Sequence, residues 1–407
     1  MQVPFTTSLN EKVAFIAFIA MFPLLFFIYS SIGVTGLGSQ YSGISGLIAI
    51  SCICILLLPS FKTIHSLRGK PLLFLLLLFS FVVLIILYAT THYLFDGSIS
   101  RSYVTFIATY LLYITCHFLI GINLRPTPFN KRILYLSLLI MFTFIVFNIN
   151  STSMVFDISS GKQDGIVSYQ GFARYFSSTA LVTIAITKAY IRKALIIFIA
   201  CIGLFFLGSR SDLFGFLFII PIFFIDFSSN IKTLKNILMS IIFFTVLTAT
   251  AGILFQDSFL SKIENNRALE VMDLTQSSSW KSRNTLEEEA KAAILQSPII
   301  GDYAGQVKST GNAGNYVHNF LSAWRQFGLL GFLLFISICT YSLYISIKYT
   351  FTYRQTEPLV LLGLYINLYS FFLLLFSKSV FWFYPALGWG LSLAIMAKIK
   401  LKLPINS

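Results

Sequence analysis

The stretch PLLFLLLLFSFVVLIILY, from Pro71 to Tyr88, runs for eighteen residues without a charge. As a helix it would rise about 27 Å, close to the ~30 Å hydrocarbon core of a bilayer. Val13 to Ile32 and Leu359 to Phe376 have the same character. The whole chain of 407 residues follows suit: 57% is hydrophobic and 11% charged, against roughly 45–50% and about 25% in soluble domains. A water-soluble core cannot absorb that excess, so these runs read as membrane-spanning helices. Met1 to Asn10 carries no positive charge and no small-residue cleavage site follows the first apolar run. The first run is therefore expected to stay in place as a helix rather than leave as a signal peptide.

Spans are expected near residues 13–33, 42–58, 71–90, 103–121, 133–149, 173–190, 194–208, 213–227, 236–255, 319–347, 358–376 and 380–397. This is an all-α polytopic membrane protein of about twelve transmembrane helices. With the N-terminus inside, Lys12, the Lys62, Arg68 and Lys70 group, and the Arg125, Lys131 and Arg132 group fall in the cytoplasm. Lys188, Arg192 and Lys193 join them, as do Lys232 and Lys235, Lys348 and Arg354, and Lys398, Lys400 and Lys402. Together these are more than half of the 29 basic residues. The short outer loops hold only Arg101, Lys162, Arg174, Arg210 and Lys378, which satisfies the positive-inside rule with both termini cytoplasmic. Residues 1–255 then carry spans 1–9, residues 256–317 form one large periplasmic loop, and residues 318–407 carry spans 10–12.

The net charge of +14 is mainly a topology signal, with anionic membrane lipid as a secondary partner. It lacks the basic soluble face that nucleic acid would need, so no nucleic-acid partner is expected. The five cysteines, Cys52, Cys54, Cys116, Cys201 and Cys339, all sit in apolar runs and read as small hydrophobes. No two histidines have ligand spacing and no glycine-rich phosphate loop is present, so neither metal nor nucleotide nor any other cofactor is expected.

Spans 7 and 8 are short, about 15 apolar residues each, and are separated by Gly208-Ser209-Arg210-Ser211-Asp212. Basic residues flank both distal ends, so the pair should be a hairpin whose tip lies below the outer surface. Arg210 there is a functional candidate, since an ionisable group at depth needs a cavity or a partner. The alternatives are pairing with Asp212 or snorkelling to the headgroups.

In the long loop, Arg283 to Leu295 has helical character, with Thr285 and Glu288 spaced as a capping box and Leu286, Ala290, Ala293 and Ile294 on one side. An amphipathic helix on the membrane surface accounts for most of it. Glu287 and Lys291 are spaced to pair, and the run Glu287 to Glu289 is expected to be solvated. Arg283 at a helix start is poorly placed for the dipole, which points to an anionic partner, with Glu287 as the rival explanation. Gly301-Asp302-Tyr303 and Tyr316-Val317-His318-Asn319 close the loop. His318 at an outer helix start is either a polar cap or a neutral imidazole suited to general-base work, and Asn319 could supply the cap instead.

Three pieces of this sequence resemble the bacterial O-antigen polymerase and ligase superfamily. Leu207-Gly208-Ser209-Arg210 resembles its Ser/Thr-Arg hairpin tip. Arg283 followed by Ser297-Pro298 and Gly301 resembles its loop helix and closing turn. Val317-His318-Asn319-Phe320-Leu321, with Gly328-Leu329-Leu330-Gly331 after it, resembles its His-Asn-x-x-Leu and Gly-Leu-x-Gly signature. Ser211-Asp212 departs from the small residues common after that arginine. The resemblance implies a glycosyltransferase-C-like fold and a metal-independent glycosyltransferase in the inner membrane, acting on an undecaprenyl-pyrophosphate-linked oligosaccharide. It further implies catalytic roles for His318, Arg210 and Arg283, with substrate contacts from Arg174, Asn319, Asp302, Tyr303 and Lys378. Polymerase is favoured over ligase, and a chain-length regulator is implied as a separate partner. A lipid-linked oligosaccharide flippase is the rival of another class, but it needs no such outer loop, and its halves should resemble each other.

Overall fold

The computed structural model describes residues 9–35, 41–65, 67–96, 101–125, 131–150, 155–158, 169–223, 278–311, 316–352 and 357–400. Among these the chain is helical, with no strand beyond an isolated bridge between Ile149 and Phe156. The helices are α1 (Leu9–Ile19), α2 (Leu25–Thr35), α3 (Tyr41–His65), α4 (Lys70–Thr91), α5 (Arg101–Asn123), α6 (Lys131–Phe147) and α7 (Tyr169–Ile186). After them come α8 (Tyr190–Phe206), α9 (Arg210–Phe223), α10 (Ser278–Gln296), α11 (Gly305–Thr310), α12 (Leu321–Ile347), α13 (Pro358–Phe376) and α14 (Pro385–Lys400).

Among the described residues, six stretches are long and apolar enough to cross a membrane: Asn10–Ile32, Ser42–His65, Lys70–Leu94, Tyr103–Asn123, Leu321–Phe351 and Pro358–Phe376. Five further expected spans coincide with the shorter or less apolar helices α6, α7, α8, α9 and α14. The expected span at 236–255 lies outside the described residues. The first spanning stretch is continuous through Pro23 because the chain widens to a π turn over Ala20–Leu24, which accommodates the missing proline N–H.

The chain divides into two compact units built from alternating segments. The first takes residues up to Ile48, Leu124–Leu274 and Lys348–Tyr369. Its centre is α7, buried from Phe172 to Ile186 at every residue except Arg174. Aromatic edges close the packing: Phe26 meets Phe172 at 5.1 Å and Phe144 at 6.0 Å, and Phe223 meets Tyr365 at 4.7 Å. The ring of Phe176 lies directly over Gly203 of α8, a place where no side chain would fit.

The second unit takes Ala49–Asn123, Thr275–Ile347 and Ser370–Ser407. Here α5 and α14 touch backbone to backbone at Gly121 and Gly390, their Cα atoms too close for any added Cβ, the small-residue crossing that lets apolar helices approach in lipid. Ser342 of α12 and Ser392 of α14 share a hydroxyl hydrogen bond of 2.7 Å in the same core. Phe81 of α4 packs on Phe335 of α12 at 5.4 Å.

Candidate functional site

The clearest convergence of chemistry-bearing side chains lies in the second unit, where α10, the start of α12 and the turn between α13 and α14 meet. That turn is held by its backbone: the Tyr110 hydroxyl donates to the Val380 carbonyl at 2.5 Å, and the Val380 N–H donates to Ser322 Oγ at 2.7 Å. The side chain of Phe381 fills the space beside Tyr110 and Phe106. Ser377 and Lys378 thereby occupy fixed positions. His318 Nδ1 lies 3.1 Å from the Ser377 carbonyl oxygen, and its ring rests against Tyr316 at 5.0 Å. A carbonyl can only accept, so Nδ1 carries the proton and Nε2 keeps its lone pair.

The imidazole is held at a pKa of about 4, below its ordinary 6.5, first by burial, then by the positive charge of Arg283, with a smaller push from Lys378. The hydrogen bond to Ser377 opposes this only in part. Arg283 and Lys378, both singled out from sequence, are therefore in electrostatic reach of His318. Asn319 joins them: its Oδ1 accepts from the Leu321 N–H at 2.9 Å, capping α12, while its Nδ2 donates to Glu287 Oε2 at 3.4 Å.

Glu287 is the residue that sequence reasoning left solvated. It is half-buried, linking Asn319 to Lys291, whose ammonium lies 3.1 Å from Glu287 Oε1 and 2.9 Å from Glu288 Oε1. The signal was present, since Glu287 stands four residues after Arg283 and so shares its face of the helix. Leu286, Ala290, Ala293 and Ile294 turn inward as expected. The capping box does not form: α10 begins at Ser278, and Thr285 Oγ1 bonds instead to the Lys281 carbonyl at 3.1 Å. Arg283 accordingly sits in the second turn rather than at the helix start, and the dipole no longer bears on it.

Lys378, expected in an exposed outer loop, is 5% exposed, with its ammonium 5.8 Å from the Trp382 ring centre. Asp302 and Tyr303 lie in the same unit but are engaged elsewhere. The Asp302 carboxylate pairs with Arg325 at 3.5 Å, and the Asp302 N–H donates to the Arg325 carbonyl at 2.5 Å. Tyr303 is buried in an aromatic cluster of Tyr88, His92, Tyr103 and Phe327, a packing role.

Arg210 and Arg174 belong to the first unit. Helices α8 and α9 form the expected hairpin; α8 is 17 residues long, about 25 Å by rise, and α9 is described from Arg210 to Phe223. Lys193 ties its base by donating to the Phe223 carbonyl at 3.0 Å. Gly208 makes the tip with φ +66°, and Arg210 opens α9, half-buried. Next to it Asp212 is 1% exposed and accepts from the Tyr369 hydroxyl at 2.7 Å and from Ser209 Oγ at 2.5 Å. Arg174, expected in a loop, lies inside α7, half-buried against the Tyr175 ring at 5.3 Å.

Among the described residues no group of three or more His, Cys, Asp and Glu side chains could hold a metal ion. The sequence matches no protein-family model, and no curated protein matches it.

Proposed function

We propose that this chain is an O-antigen polymerase, a multi-pass glycosyltransferase of the bacterial inner membrane with its site on the periplasmic face. It would move a growing glycan from undecaprenyl pyrophosphate to a lipid-linked repeat unit. The observation that carries the proposal is the state of His318: a neutral imidazole with Nδ1 committed to Ser377, Nε2 available, and two cations near it.

In the proposed step His318 Nε2 takes the proton of the acceptor hydroxyl as its oxygen attacks the anomeric carbon. The bond from that carbon to the pyrophosphate oxygen breaks, and the electron pair leaves with undecaprenyl pyrophosphate. Arg283 and Lys378 stabilise the charge that develops on the leaving group, and no cofactor is required. The same two cations keep the imidazole deprotonated between turnovers, so the leaving-group site and the base support one another. Arg210 and Arg174 take their assignment to pyrophosphate from the family resemblance. Asn319 caps α12 beside the base, a positioning part. The twelve-span topology, the glycosyltransferase-C-like fold and the cytoplasmic termini belong to the same proposal.

Deleting the gene and running lipopolysaccharide on a gel tests it. Core carrying a single repeat unit is the expected result. Bare core with lipid-linked polymer accumulating would make the protein the ligase that transfers finished glycan to lipid A-core, and an unchanged ladder would refute both.

A further inference from the structure

The turn that follows α10 has apolar side chains turned outward while its backbone is turned in. Leu295, Ile299 and Ile300 are 82%, 73% and 64% exposed. Yet three successive carbonyls of the turn accept protein donors. Pro298 and Ile299 share the Leu329 N–H at 3.0 and 3.2 Å, Pro298 also takes Trp324 Nε1 at 2.9 Å, and Ile300 takes the Tyr88 hydroxyl at 2.6 Å. A loop facing water has the opposite economy, since its carbonyls are solvated at no cost and its leucines and isoleucines are the groups that hide.

The partners also belong to helices long and apolar enough to cross a membrane: Leu329 stands eight residues from the start of Leu321–Phe351, and Tyr88 six residues from the end of Lys70–Leu94. The Leu329 N–H is available because α12 breaks at Gly328 (φ +65°, ψ −168°), so the turn fills the gap that the break opens. Beside it Leu329, Leu330 and Leu333 of α12 are themselves exposed, and they continue the apolar patch along a helix that reads as membrane-spanning. Trp324, its indole N–H bonded and its ring stacked on Phe332 at 4.9 Å, is the residue type that marks the edge of a bilayer.

We propose that the turn Pro298–Gly301 is re-entrant: it places Leu295, Ile299 and Ile300 among the acyl chains of the bilayer, continuous with the lipid-facing side of α12. Irregular backbone at that level is tolerated where protein takes up its polar groups, and the Leu329, Trp324 and Tyr88 donors take up the three carbonyls of the turn. The loop helix α10 would then be anchored in lipid at its C-terminal end. The proposal rests on the membrane-spanning helices alone and stands whether or not the chain transfers glycans.

The test uses the full-length chain with its native cysteines and a photoreactive benzoylphenylalanine at position 299, or separately at 300, reconstituted in vesicles of one synthetic phospholipid. Irradiation is expected to add the mass of that phospholipid at both positions, and not at position 308, where Lys308 is exposed on α11. A second readout places a nitroxide at Ile300→Cys in a cysteine-free background, where oxygen collisions should exceed those of a water-soluble nickel chelate. The order at Lys308→Cys should be reversed. Absence of a lipid adduct at 299 and 300, or nickel access there equal to that at 308, would overturn the proposal. So would an adduct that forms only with polyprenyl lipid in native membranes, because the patch would then be a tail-binding site rather than a bilayer anchor.

Discussion

The Nδ1 of His318 and the carbonyl oxygen of Ser377 are 3.1 Å apart, and this single contact decides which imidazole nitrogen is available for chemistry. Because burial and the Arg283 charge hold the group at a pKa of about 4, it is neutral from there upward. Transfer by reconstituted protein should therefore lose activity only as pH falls through about 4. Arg283→Gln removes a cation, so the midpoint of that acid limb should move upward, toward the ordinary ~6.5 without reaching it because burial remains. Lys378→Gln should move it the same way by less. A pH profile of the residual transfer activity reads both shifts, and identical midpoints would show that neither cation acts on the imidazole.

Gly328 and Gly301 should be intolerant of any side chain. Gly328 occupies a backbone region open to glycine alone, and an added Cβ would strike the Ile299 carbonyl. Gly301, with φ +85°, meets the Gly328 backbone. Gly328→Ala is expected to cost upwards of about 1–3 kcal/mol, seen as a lower midpoint of thermal denaturation in detergent. Gly46→Ala, where nothing lies within 4 Å, should leave the midpoint unchanged or raise it.

Asp212 anchors the hairpin tip. Removing its carboxylate leaves the buried Tyr369 and Ser209 hydroxyls without the acceptor they now use, so Asp212→Ala should destabilise the protein by about 1–3 kcal/mol. Asp212→Asn keeps one carbonyl oxygen and should cost less. Equal melting curves for wild type and the alanine variant would remove Asp212 from the fold's supports.

Arg325 is 7% exposed and depends on Asp302 for its counter-charge. Asp302→Ala leaves that guanidinium buried without it, at a cost of about 3–5 kcal/mol. The double variant Asp302→Ala, Arg325→Met should recover most of the loss, because an apolar pair of similar volume needs no compensation. A double variant as unstable as the single one would mean that the side chain of Arg325 is needed for more than charge balance.

Much of this was legible from sequence because lipid imposes simple rules. Pro71 to Tyr88 lies in a helix long and apolar enough to span, as its composition requires, and the shortness of the runs around Arg210 already indicated a hairpin, whose base Lys193 closes. The position of Arg283 was harder to read. Ser278 to Ser282 carries no apolar periodicity, so nothing local shows that these residues are already helical, and Thr285 with Glu288 mimics a cap by spacing alone. Lys378 was placed in an open loop because a lysine between two spans usually is exposed. Its burial follows from Tyr110, Ser322 and Phe381 pinning the turn, contacts between residues far apart in the chain that no local pattern encodes. The link from Glu287 to Asn319, 32 residues away, escapes local patterns in the same way.

The most direct measurement is the lipopolysaccharide ladder of cells whose chromosomal copy carries His318→Ala or Arg283→Ala, with protein level followed by immunoblot. Both variants should collapse the ladder to core plus a single repeat unit at unchanged protein level, and Glu287→Ala should shorten it less severely. A wild-type ladder from His318→Ala and Arg283→Ala, with the protein present, would contradict the account.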